Sequence, residues 1–183
     1  MPGLLWDDVK SFFEPELMGA LPDVVVPGAS VGGWQAVLDL VGERGWACRY
    51  SEGGVVLPLP RAEGVLSRPA GAECPELRVW PVAGMLAIFR FSAADEIDFD
   101  VDLREIQGQE RLDAFCGFLR VLGLRLGKSV LMHSEGGEGG EYGAPVLGFD
   151  AGAGRVVVWD PLRPPPARAC EPGAGSVGQN WVT

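Results

Sequence analysis

The chain of 183 residues has one histidine, no Cys-x-x-Cys pair and no long apolar run. Each absence removes a class of function. Cys48, Cys74, Cys116 and Cys170 stand at intervals that match no zinc or iron–sulfur ligand spacing, so neither a metal nor another cofactor is expected. They read as reduced thiols, with Cys48 and Cys116 packed against the core. The segment from Met1 to Asp8 lacks the basic stretch and apolar run of a signal peptide. Nothing approaches the roughly 20 apolar residues of a membrane-spanning helix. A cytoplasmic protein is expected. Positive charge is also scarce: 15 Lys and Arg against 25 Asp and Glu leave a net charge of −10. A field of that sign repels nucleic acid and anionic lipid, and it steers in a cationic partner.

Hydrophobic residues make up 47% of the chain, enough for one sizeable core. One domain over residues 1–160 is expected. Beyond it, 161–183 is a Pro- and Gly-rich tail that buries little and reads as disordered. The domain is organised around the segment from Ala94 to Lys128, which begins as a strand at Glu96 and ends as a helix. Ile97, Phe99, Val101 and Leu103 share one face of a strictly alternating run, and Glu96, Asp98, Asp100 and Asp102 share the other. Period-2 alternation marks a half-buried strand, with same-face neighbours about 7 Å apart. Four carboxylates in such a ladder repel one another, and function is one reason to bear that cost.

A helix follows over roughly 109–126. Its core stripe is Leu112, Phe115, Cys116, Leu119, Leu122 and Leu126, with acids early, bases late and Gly127 as its stop. Upstream, Leu5 to Phe13 reads as a short amphipathic helix ended by Pro15. Leu21 to Pro27 reads as an extended piece at a sheet edge or in a packed loop. Ser30 caps a helix whose buried stripe is Trp34, Val37, Leu38 and Val41. Hairpins are predicted at Trp46–Leu59 and Leu77–Phe91, with a surface loop over Arg61–Pro75 between them. Further strands are predicted at Val130–His133, Val146–Phe149 and Arg155–Trp159. The class is α+β: a largely antiparallel sheet with about three helices packed on it.

Several short motifs fail on context. Gly28-Ala29-Ser30-Val31-Gly32 spells G-x-S-x-G, but too few residues precede it to build a hydrolase sheet, and His133 is the lone candidate base. Gly127-Lys128-Ser129 follows a helix rather than opening one, so it cannot cradle phosphate. Asp98-x-Asp100-x-Asp102 lacks the Gly and Glu of a calcium loop. The same alternation could hold two magnesium ions, which makes a metal-dependent phosphoryl-transfer or nuclease-like enzyme the alternative reading. No catalytic residue is assigned.

The run Glu96-Ile97-Asp98-Phe99-Asp100-Val101-Asp102-Leu103-Arg104-Glu105-Ile106-Gln107-Gly108-Gln109-Glu110-Arg111-Leu112-Asp113 is acidic and passes from strand to helix in a small chain without a leader. In these respects the protein resembles the immunity proteins that bacteria encode beside polymorphic toxins. The resemblance implies a non-enzymatic binding protein that covers a basic, nuclease-like surface. The expected contact residues are Glu96, Asp98, Asp100 and Asp102, with Glu135, Glu138 and Glu141 of the Gly-rich loop as a rim.

Overall fold

The computed structural model describes residues 3–69, 71–134 and 143–159. The tail 161–183 and the loop residues Glu135, Glu138 and Glu141 lie outside the described residues. Among the described residues, nine strands form one sheet: β1 Asp23–Pro27, β2 Ala47–Glu52, β3 Val55–Leu57, β4 Glu76–Val82, β5 Met85–Arg90, β6 Glu96–Val101, β7 Val130–Met132, β8 Leu147–Asp150 and β9 Arg155–Val158. Their order is β3-β2-β4-β5-β6-β1-β7-β8-β9, and every neighbouring pair is antiparallel. Five helices are described: α1 Trp6–Val9, α2 Pro15–Met18, α3 Val31–Arg44, α4 Ala62–Leu66 and α5 Gln109–Leu126. The fold is the α+β class with an antiparallel sheet that the alternation and helical stripes indicate.

The long helices form where the sequence places them. The Ser30 hydroxyl accepts the Gly33 N–H at 3.1 Å and caps α3. Both α3 and α5 stop at a glycine in the left-handed region, Gly45 and Gly127, each with φ 62°. Trp34, Val37 and Leu38 of α3 join Phe115, Phe118 and Leu122 of α5 in the core. They pack against the strand residues Val24, Val26, Leu77, Phe89, Phe99 and Phe149. Trp34 and Phe118 each meet Phe89 edge-on, with ring centroids 6.5 Å apart.

Three expectations are corrected. The Leu21–Pro27 segment is not at an edge: β1 lies between β6 and β7 and joins the two parts of the sheet. Its prolines permit this because Pro22 precedes the strand and Pro27 is its last residue, so no interior ladder donor is lost. The loop expected over 61–75 contains α4, whose Ala62 and Val65 are buried and whose Ala62 N–H donates to Gln35 Oε1 at 3.0 Å. Pro15 ends the first helical stretch as expected, with Glu14 extended before it, and it also starts α2, because a proline in the first turn loses no helical bond. Cys48 is exposed rather than packed, because β2 reaches the core through Tyr50, two residues further on; Cys116 is partly buried as expected.

The candidate functional site is a bare sheet face

Strand residues that alternate with the core set project to the opposite side of the sheet. Strand register places them in rows. One row runs Ser51, Glu76, Arg90, Asp98, Val25, Leu131. The next runs Arg49, Arg78, Ile88, Asp100, Asp23. Val25, Ile88 and Leu131 lie outside the core cluster, and no described helix packs on this side; Val25 is nevertheless buried between its neighbours, while Ile88 and Leu131 are half-buried. The acidic strand therefore lies in the middle of a broad face that alternates charge with aliphatic side chains.

The four carboxylates of the predicted ladder meet different fates. Glu96 opens β6 opposite Pro27 and is partly buried. Asp98 is half-buried opposite Arg90 and accepts the Ser92 hydroxyl at 2.7 Å. Burial pushes its carboxyl above the usual value, against the pull of Ser92 and Arg90. Asp100 is only 6% exposed and forms an ion pair with Arg90. Asp102 has left the strand. It caps the 3₁₀ turn Leu103–Glu105, accepts the Arg104 N–H at 2.9 Å, and holds the Arg104 guanidinium at 2.6 Å, which lowers its carboxyl. The strand thus presents three rungs rather than four, and the innermost is neutralised by an arginine.

Two charged residues at the centre of the face escaped the sequence reading. Asp23 stands directly opposite Asp100 across β1 and β6. Burial, the charges of Asp100 and Asp98, and a hydrogen bond shared with Asp100 all push its carboxyl up. Arg90 supplies the opposing cation. Nothing local distinguishes either residue; both acquire meaning from which strands pair. Glu76 and Arg78, an ion pair within β4 at 2.6 Å, extend the pattern.

The chemistry available here is limited. Among the described residues, no three of His, Cys, Asp and Glu are gathered closely enough to hold a metal ion. Cys74 lies within the influence of Asp98, but burial and that charge both push its thiol up, away from the nucleophilic thiolate. His133 ends β7. Its backbone N–H donates to the Asp23 carbonyl at 2.8 Å, and its Nδ1 lies 2.7 Å from the Gly143 carbonyl. Burial lowers its imidazole below the usual value, so the ring is neutral at neutral pH. At the β2–β4 side the face ends in two adjoining clefts of about 390 and 320 Å³, both lined by Glu73 and Cys74. Arg68 and Ser92 line the first, and Arg49 and Arg78 the second.

No family model, curated protein or solved structure matches the chain. No helix of the described residues is long and apolar enough to cross a membrane.

Proposed function

We propose that this protein is a non-enzymatic cytoplasmic binding module that docks a cationic protein on the bare face of its sheet. The observation that carries the reading is one-sided packing: the core cluster takes one face, and the other carries ordered rows of charge around the buried Val25, with Ile88 and Leu131 part-buried. A merely solvated face has no need of Ile88 and Leu131 between its charges, whereas a docking face uses such part-buried residues as its dry centre. The acidic side of the face, Asp23, Glu96 and Asp98, sets the sign of the partner. Asp100 and Asp102 act within the fold, holding Arg90 and Arg104. The resemblance to immunity proteins fits this reading, with a toxin as one kind of partner.

The test uses immobilised wild type and the variant Asp23→Asn/Glu96→Gln/Asp98→Asn, which leaves both arginine pairs intact. A basic protein retained by the wild type at low salt, released as salt rises and lost from the variant is the expected result. Identical retention by both proteins would remove the acidic face from the account.

A further inference from the structure

A second surface of the sheet is also left uncovered by the described helices. β3 is an edge strand, and its residues are all apolar and open: Val55 and Val56 are 60% exposed and Leu57 is 40% exposed, followed by Leu59 at 39%. Edge strands are ordinarily blunted by a charge or a proline within the strand, because their unpaired backbone groups recruit other chains. The three ladder residues of β3 carry neither device.

The register shows which backbone groups are open. β2 and β3 are joined by the two-residue turn Gly53-Gly54, with Glu52 opposite Val55, Ser51 opposite Val56 and Tyr50 opposite Leu57. In such a hairpin the pair flanking the turn exchanges both hydrogen bonds and the next pair exchanges none. Val55 and Leu57 therefore spend their amides on β2, while Val56 turns its N–H and C=O outward.

We propose that β3 is a self-association edge, through which two copies of this chain join their sheets antiparallel about a two-fold axis at Val56. Two arguments select a second copy as the occupant. The first is register. Centred on Val56, the symmetric arrangement sets Val56 against Val56 of the copy and Val55 against Leu57, so every seam position pairs apolar with apolar, as an isologous contact requires. The second is charge. Residues 45–82, the segment that builds this edge, hold four arginines (49, 61, 68, 78) and four glutamates (52, 63, 73, 76) and carry no net charge, while the chain as a whole carries −10. Two copies meet here without the repulsion they meet elsewhere, and a strongly charged partner finds no net field to draw it in. Pro58 lacks an N–H and closes the seam after Leu57. The contact is correspondingly small, and the dimer dissociates on dilution.

Sedimentation velocity of the full chain over a wide concentration range tests this. The wild type is expected to move from 19.5 kDa toward twice that mass as concentration rises. Val56→Pro removes the outward N–H without costing a bond to β2, and Val56→Lys sets like charges face to face on the axis. Both variants are expected to stay monomeric at the highest concentration, with the wild-type circular dichroism spectrum and melting temperature. Should the proline variant lose that spectrum, the lysine variant decides alone. A wild type that remains monomeric throughout overturns the proposal, and so does a dimer that persists in the folded variants.

Discussion

Asp23 and Asp100 face each other across β1 and β6, with Arg90 on the far side of Asp100 and Asp98 one rung away. Like charges directly opposite on a sheet destabilise by roughly 0.2–1 kcal/mol, so Asp23→Asn is expected to raise stability at neutral pH by about that amount in urea unfolding. The pH dependence has a definite sign. Because the Asp23 carboxyl is raised above its ordinary value of 3.8, the native state binds its proton more tightly than the unfolded chain does. Its contribution is most favourable below 3.8 and is lost as pH rises through the window up to the raised value. Asp102 and Glu52 are lowered and act in the opposite sense, losing their contribution as pH falls. The difference between wild-type and Asp23→Asn stability curves isolates the Asp23 part. Arg90→Ala is expected to cost about 1–3 kcal/mol, because it leaves the Asp100 carboxylate buried without its cation. Adding Asp100→Asn should recover part of that loss in the same urea assay.

At the scale of elements, close approach decides more than propensity. Gly123 lies in α5 where a Cβ would come within 2.0 Å of the Phe149 ring on β8. Alanine is the better helix former by about 1 kcal/mol, and an isolated α5 would gain from Gly123→Ala. In the folded protein the substitution forces α5 away from β8 and is expected to destabilise by about 1–3 kcal/mol. Thermal unfolding of the full chain beside helicity of the α5 peptide checks both signs. If the full chain were stabilised, the helix–sheet approach would not be as tight as the backbone implies. The short element α4 shows the same dependence on neighbours: five residues hold as a helix because Gln35 of α3 accepts its first N–H and Val65 is buried.

For the whole molecule, the sheet order sets a gradient of protection. β1 and β6 pair on both sides in the interior of the sheet, whereas β3 pairs on one. In hydrogen exchange, the amides of Val24 and Val26 are expected to open with global unfolding, and the amide of Val56 to exchange fast in dilute solution. Fast exchange in β1 would mean that the two parts of the sheet separate at this strand without the chain unfolding. One-sided packing has the larger functional consequence. With the described helices on one side, the opposite face of the sheet bears both signs of charge.

How much of this was legible beforehand follows from the range over which each interaction acts. Alternation at 97–103, the stripes of α3 and α5, the Ser30 cap and the glycine stops are local: they depend on the 2.0 and 3.6 periods and on φ of single residues, and the chain itself determines them. Net acidity and the absence of a long apolar helix are likewise properties of the sequence. The place of β1 was not legible, because three valines between two prolines suit an edge as well as an interior until a second strand claims each side. The carboxylate ladder was half legible. Alternation put Glu96, Asp98 and Asp100 on one face, but that Arg90 would neutralise Asp100, that Asp23 would oppose it, and that Asp102 would turn back to Arg104 depends on partners reached through strand pairing and chain reversal. Electrostatic meaning is pairwise, and pairs distant along the chain are decided only by tertiary structure.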